Sequence, residues 1–139
     1  MPRKTDADNP ADWLWISASD IDGIRLLADR ETSYALCRGK LSEVLEKIIK
    51  AELIRSGWRL KKTHDLERLL EILVTRGSDL CARVEPLCDA LAEAYFTTRY
   101  PGFDLDDPDW PALRAQVEQV AALLAAVQAR VAAPDAPAP

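Results

Sequence analysis

The chain has 139 residues, the length of one domain with a single hydrophobic core. Hydrophobic residues make up 48% of it and charged residues 29%, a balance typical of a folded globular protein and too apolar for a disordered one. The net charge of -5 disfavours a protein that coats nucleic acid with its whole surface, and the single histidine excludes sites that need two imidazole ligands. We therefore expect neither a metal nor a cofactor.

The spacing of apolar residues predicts five helices and no strand. The predicted helices cover residues 11–30, 34–57, 64–76, 79–99 and 111–132. The second helix has the clearest pattern, because apolar side chains recur every three or four positions between Cys37 and Leu53. Pro86 falls inside the fourth helix, where a proline costs about 3 kcal/mol, so we expect it in the first turn or at a kink.

Signals for helix ends support these boundaries. Gly57 and Gly77 follow the second and third helices, and Thr63 precedes the third as a candidate N-cap. Short connections favour antiparallel neighbours, so the sequence predicts an all-α, up-and-down antiparallel bundle of about five helices over residues 11–132. Residues 1–10 and the Ala/Pro-rich tail 133–139 are expected to be disordered.

The last predicted helix carries an apolar series from Leu113 to Val131 with strict 4-3-4-3-4 spacing, beside several alanines. Such a series is typical of the seam inside a bundle. A close helix–helix contact with a second copy, in a homodimer, is the alternative.

The three cysteines, Cys37, Cys81 and Cys88, form no C-x-x-C pair. An odd number of cysteines, in a chain whose basic start is followed by no apolar leader, indicates reduced thiols that pack in the core. No apolar run approaches the ~20 residues that a membrane span needs. These features predict a cytoplasmic protein with no membrane partner.

Charge is distributed unevenly along the chain. Residues 38–62 carry eight basic and three acidic side chains, a net charge of +5, which leaves -10 for the rest. The basic residues of this strip are Arg38, Lys40, Lys47, Lys50, Arg55, Arg59, Lys61 and Lys62. Two interpretations remain open: a solvated face of mixed charge, or a small exposed phosphate-binding surface. Trp58, in the same strip, is either a cap on the core or a platform on which a base stacks.

Motifs of common enzyme classes are absent from the sequence. The chain has no glycine-rich phosphate loop and no G-x-S-x-G, and its acidic residues are too scattered to indicate a paired-carboxylate hydrolase. A Ser-His-Asp triad would depend on His64, whose neighbour Asp65 would point about 100° away on a helix.

Four segments, taken in order, carry a family resemblance. They are Asn9-Pro10-Ala11-Asp12-Trp13-Leu14 before Ser19-Asp20; Tyr34-Ala35-Leu36-Cys37 before Leu45-Glu46-Lys47-Ile48-Ile49-Lys50-Ala51; Thr63-His64-Asp65-Leu66 before Leu69-Leu70; and Thr98-Arg99-Tyr100-Pro101. With these segments at matching separations, residues 9–132 resemble the short stand-alone bacterial form of the HEPN domain (higher eukaryotes and prokaryotes nucleotide-binding). The resemblance implies a helical bundle that is often a homodimer and is encoded beside a minimal nucleotidyltransferase or used in RNA cleavage.

The ribonuclease members of that family share an R-x4-6-H motif, from which this chain departs. Arg99 is followed by no histidine at an allowed spacing. Arg59 and His64 match by count, but they lie in the loop before the third helix, outside the family's layout, and we interpret the match as coincidental. Without a histidine beside the arginine, metal-independent cleavage of a phosphodiester lacks its general acid and base.

The first functional hypothesis is a non-catalytic module that binds a nucleotide or RNA and works with a minimal nucleotidyltransferase, in a toxin–antitoxin-like or regulatory system. Its candidate ligand-binding residues are Arg38, Lys47, Lys50, His64 and Arg99. Structural roles are the alternative for four of them. The two lysines are spaced to pair with glutamates one helical turn away, His64 can fix the start of the third helix, and Arg99 can offset a helix dipole.

Two further hypotheses come from other classes of protein. One is a metal-independent ribonuclease toxin that uses Arg59 and His64, or Arg99. The other is an interaction protein whose role is dimerisation alone.

Overall fold

Six helices form the regular structure of residues 3–133, the part of the chain that this computed structural model describes. They are α1 (Pro10–Asp29), α2 (Tyr34–Arg55), α3 (Leu66–Thr75), α4 (Cys81–Leu91), α5 (Ala94–Thr97) and α6 (Trp110–Ala132). No strand occurs within residues 3–133, so the all-α helical bundle is confirmed.

Helix starts are fixed by short polar side chains. Asn9 accepts a hydrogen bond from the Ala11 N–H, with a proline in the first turn of α1. At α3 the cap is Asp65 and not the predicted Thr63, because its carboxylate accepts the N–H groups of Glu67 and Arg68. α3 therefore begins two residues later than the sequence predicted.

α2 is the central helix and packs against each of the other five. The apolar stripe predicted for it is confirmed, since each of its members is no more than 1% exposed. Those members are Cys37, Leu41, Val44, Leu45, Ile48, Ile49 and Leu53. The apolar series of α6 packs in the same core, with Leu124 6% exposed and Val131 partly buried, and so closes the bundle of this chain itself.

The connection from α2 to α3 refines the predicted topology. After Gly57, which has a φ of 97°, the chain returns along α2 until His64 reaches Glu46. At the other end of α3, Arg76 donates to the Ser56 carbonyl oxygen at 2.7 Å. α3 consequently runs in the same direction as α2. The expected antiparallel hairpin forms between α3 and α4, where the Cys88 thiol lies 3.7 Å from the Leu66 carbonyl oxygen.

The predicted fourth helix, 79–99, is two helices. α4 ends at Leu91, a turn follows at residues 92–93, and α5 is a single turn of helix. Pro86 is the sixth residue of α4, so of the two expected placements, in the first turn or at a kink, the first is wrong. Because proline has no backbone N–H, Pro86 cannot donate the helical hydrogen bond to the Ala82 carbonyl oxygen.

Gly39 allows α5 to approach α2 closely. A Cβ at this position would collide with Thr98 Oγ1 and would lie 3.6 Å from the Ala94 carbonyl oxygen. The turn at residues 92–93 redirects the chain so that α5 packs on α2 at this glycine. This contact places Tyr95 and Arg99 beside α2.

Residues 3–9, which were expected to be disordered, contact α1. The Arg3 guanidinium pairs with Asp12 at 2.5 Å and lies 4.3 Å from the centre of the Trp15 ring. Residues 1 and 2, and residues 134–139 of the predicted disordered tail, lie outside the described part of the chain. Within the described part, no helix has the length and apolar character that crossing a membrane demands.

Candidate functional site

Two of the predicted site residues meet on one aromatic ring. His64, at the end of the returning segment, stacks on Tyr95 of α5 with ring centres 4.5 Å apart and planes at 14°. The Arg99 guanidinium carbon lies 4.1 Å from the centre of the same ring. The side chains of His64 and Arg99 are 53% and 41% exposed, so both reach solvent, while Tyr95 itself is buried.

An open groove of about 400 Å³ lies beside this cluster. It is lined by Leu36, Gly39, Lys40, Glu43, Tyr95, Thr98 and Arg99. Glu43 accepts a hydrogen bond from Arg99 and lies 3.3 Å from Lys40 Nζ. Burial alone would raise the pKa of Glu43, but the charges and hydrogen bonds of Lys40 and Arg99 outweigh it and hold the pKa below its ordinary value. Glu43 is therefore ionised at neutral pH and keeps the two cations at the groove.

Glu46 fixes the position of His64 from inside the bundle. One of its oxygens lies 2.9 Å from His64 Nδ1, and the other accepts a hydrogen bond of 2.9 Å from Lys50 Nζ. The side chains of Glu46 and Lys50 are 7% and 4% exposed, so this pair is buried. With a proton on Nδ1 donated to Glu46, the His64 ring presents Nε2 as an acceptor.

The remaining predicted site residues are engaged within the bundle. Lys50 is buried against Glu46, so it offers no charge at the surface. Lys47 pairs with Asp20 of α1 at 3.2 Å. Arg38 donates to the Ala90 carbonyl oxygen and pairs with Asp106, both at 2.9 Å, with 17% of its side chain exposed. Five of the eight basic residues of the predicted strip thus form ion pairs, and one of these pairs is made by the aspartate-rich loop before α6.

Sequence reasoning missed the groups that organise the cluster. Tyr95 continues the apolar spacing of the predicted fourth helix, and Glu46 is spaced to pair with Lys50 one turn away, so neither was a candidate site residue. Glu46 lies three and seven residues before Ile49 and Leu53 of the buried stripe, and this helical spacing is the signal for its burial. Nothing local in the sequence indicates that Tyr95 contacts both His64 and Arg99, because their meeting depends on the turn at residues 92–93.

The arrangement suits an anionic, polar ligand better than a metal. No group of three or more potential metal-ligating side chains occurs within residues 3–133. Exposed guanidinium and ammonium groups bind phosphate oxygens, and an imidazole held by a carboxylate accepts or donates one further hydrogen bond. The groove can therefore hold a phosphorylated ligand beside a positioned histidine.

The fold and this cluster define a class: an all-helical bundle whose central helix carries a polar groove beside an exposed histidine and arginine. The sequence model of the HEPN domain family matches residues 11–128. The chain belongs to the HEPN domain family, as its four sequence segments predicted. Comparisons with curated proteins and with solved structures found no significant match.

Proposed function

We propose that this HEPN protein is a nucleotide- or RNA-binding module that catalyses no reaction and works with a minimal nucleotidyltransferase in a toxin–antitoxin-like or regulatory system. The observation that carries the proposal is the meeting of His64 and Arg99 on Tyr95, beside the groove that Lys40 lines. Two cations that line the groove and an imidazole beside it match the phosphate oxygens and polar edges that a nucleotide presents.

Arg99 and Lys40 are the proposed phosphate ligands. Both already contact Glu43, but a guanidinium has five N–H donors and an ammonium has three, so each retains donors for a phosphate. Because Glu43 offsets one of the two positive charges, we expect binding of about micromolar affinity or weaker, with a marked dependence on salt.

The binding test compares Arg99→Ala with wild type. Titration of a short labelled single-stranded RNA, and of ATP, is measured by fluorescence anisotropy and calorimetry at two salt concentrations. We expect the affinity for RNA to fall about fivefold, and the slope of log K against log salt to fall by about 0.7, because one phosphate contact is lost.

Arg25→Ala is the matched control for this test. Its side chain is 42% exposed, against 41% for Arg99, and it too pairs with a single glutamate, Glu118, but on α1 and α6. Equal losses in both variants would assign the binding to general surface charge. An unchanged affinity in Arg99→Ala would reject the groove as the binding site.

One observation favours a second function, a metal-independent ribonuclease. The bundle brings His64 and Arg99 to one ring, and this supplies in space the histidine that the sequence lacks after Arg99. A histidine held by a carboxylate is a general acid and base, and a nearby guanidinium stabilises charge on a phosphate.

The two functions are separated by an RNA cleavage assay in EDTA. The binding-only proposal predicts no cleavage by wild type beyond that of a His64→Ala preparation purified in parallel. Cleavage that is lost in His64→Ala and retained in Arg59→Ala would replace it with the ribonuclease. Cleavage lost in both variants would instead give the Arg59–His64 spacing a function.

The nucleotidyltransferase partner and the homodimer are parts of the same proposal. A small nucleotidyltransferase gene beside this one would support the partnership. Sedimentation measures whether the protein is a homodimer. Because Leu113, Val120 and Leu124 of α6 are buried, we expect the contact between copies to use other side chains.

A further inference from the structure

A second groove, of about 640 Å³, lies between α5, the start of α3 and the loop that follows α5. Its apolar wall consists of Ala92, Phe96, Tyr100 and Phe103. The three aromatic residues are 46%, 54% and 54% exposed, in that order. Large aromatic side chains gathered at one concave surface are uncommon on a protein without a partner there, and aromatic residues are enriched at protein interfaces.

The other wall of this aromatic groove is acidic. Asp65, Glu67 and Glu93 line it, and no lysine or arginine does. Glu67 and Glu93 also line the adjoining cavity, together with Asp89 and Asp104. Within residues 3–133, none of Glu67, Glu93, Asp89 and Asp104 forms an ion pair. Arg38 also lines that cavity, but it is paired with Asp106. The surface therefore offers apolar contact area flanked by four carboxylates that have no ion-pair partner in the described part of the chain.

We propose that the aromatic groove is the docking site for a basic amphipathic segment of a partner protein, a helix with apolar side chains on one face and Lys or Arg beside them. Helices of this kind insert apolar anchors at positions i, i+3 or i+4, and i+7 into a groove, and their charges select the partner. The carboxylates of the groove supply the complementary charge, and Phe96 and Phe103 supply the apolar contacts.

Two other occupants fit this surface less well. Nucleic acid would bring phosphates against Asp65, Glu67 and Glu93. A second copy of the chain, joined across a twofold axis at this groove, would bring the same carboxylates face to face. The groove is also separate from the proposed nucleotide site, whose lining shares no residue with it.

The probes are three synthetic peptides of equal length. The first is a helix with Leu and Phe on one face and Lys on the other, the second has Glu in place of Lys, and the third is a scrambled version of the first. We expect the first peptide to bind and the others to bind at least tenfold more weakly. The proposal would be overturned if the Glu peptide or the scrambled peptide bound as tightly as the Lys peptide. It would also be overturned if the Lys peptide did not bind.

Variants then locate the binding. Phe103→Ser and Glu93→Lys should each weaken binding of the Lys peptide about tenfold. Phe103→Ser should leave RNA binding unchanged, and Glu93→Lys should alter RNA binding no more than the charge reversal Glu85→Lys does. The matched controls are Val74→Ser, at an apolar side chain that is 60% exposed, and Glu85→Lys, at an exposed glutamate of α4. Neither control residue lines the groove, and both variants should bind the peptide within twofold of wild type.

Circular dichroism and thermal melting confirm that each variant is folded. If the groove variants bind the peptide as wild type does, the docking site lies elsewhere and the proposal fails. It also fails if Phe103→Ser instead abolishes self-association in sedimentation, since the occupant is then a second copy. Loss of RNA binding in Phe103→Ser would reassign the groove to nucleic acid. Failure of the Arg99→Ala test leaves this inference standing, because the two sites are read out by different ligands.

Discussion

Glycine has opposite roles in the first two helices of this bundle. Gly23 of α1 is exposed, and a Cβ there would meet no atom within 4 Å. Gly39 of α2 faces α5, and a Cβ there would collide with Thr98, whose hydroxyl donates to the Ala94 carbonyl oxygen. The same substitution therefore tests helix propensity at one position and helix packing at the other.

We expect Gly23→Ala to stabilise the protein by about 0.5–1 kcal/mol, because alanine loses less backbone entropy in a helix. Gly39→Ala gains the same propensity but forces α5 away from α2, so we expect a net destabilisation of about 1–3 kcal/mol. Urea unfolding followed by circular dichroism measures both free energies.

The displacement of α5 also predicts a functional consequence. Arg99 follows α5 directly, so Gly39→Ala should weaken RNA binding while Gly23→Ala leaves it unchanged. Stabilisation by both substitutions would contradict the close contact between α2 and α5.

Two of the three cysteines are buried, as the sequence predicted for packing thiols. Cys37 and Cys88 are fully buried, and Cys81 is partly exposed. Burial raises the pKa of Cys88 to about 12, with the carboxylates of Asp89, Glu67 and Glu85 adding to the effect. Because the thiolate is the reactive form, Cys88 is chemically quiet and serves as a packing residue that contacts the start of α3.

At the level of elements, the helices with strong local signals were predicted closely. The helices that became α1, α2 and α6 were bounded within two residues, because each combines an apolar stripe with a polar cap or a glycine stop. The predicted helix over 79–99 was wrong as one element. Its apolar spacing continues through residues 92–93, and the turn there results from the packing of α5 at Gly39, which is a tertiary contact.

The structure brings two of the five candidate site residues to one place. His64 and Arg99 both contact Tyr95 and are exposed, but Lys50 is buried and Arg38 and Lys47 are paired with Asp106 and Asp20. Sequence spacing locates the residues that share a helix face. It does not show which acidic side chain from another element reaches that face, because Asp20 and Asp106 arrive from α1 and from a loop far along the chain.

In the whole molecule, ion pairs connect elements that the apolar core already holds together. Arg25 of α1 binds Glu118 of α6 through two hydrogen bonds. Arg130, near the end of α6, binds both Glu52 of α2 and Asp79 in the turn before α4. These pairs lie partly in solvent, where water and salt screen them, so the buried stripes of α2 and α6 supply most of the stability.

The charges nevertheless determine how stability depends on pH. Hydrogen bonding to Arg130 holds the pKa of Asp79 below its ordinary value, and hydrogen bonding to Arg25 does the same for Glu118. The pKa of Glu43 is also lowered, since Lys40 and Arg99 outweigh its burial. A carboxyl with a lowered pKa in the folded state binds fewer protons there than in the unfolded chain, so acidification favours unfolding.

We therefore expect the free energy of unfolding to be constant between about pH 5.5 and pH 8, and to fall as the pH drops below the ordinary carboxyl values and through the lowered ones. Glu43→Gln removes one of these groups. It should destabilise the protein by about 0.5–1 kcal/mol at pH 7, and the difference from wild type should vanish as the pH falls through the lowered pKa of Glu43.

Glu71→Gln is the control, because Glu71 pairs with Arg68 at a position where its side chain is 67% exposed. This substitution should change stability little at any pH. Thermal melting of the three proteins from pH 7 to pH 3 tests this prediction. If Glu43→Gln is as much less stable than wild type at pH 3 as at pH 7, the carboxylate charge at the groove does not contribute to stability.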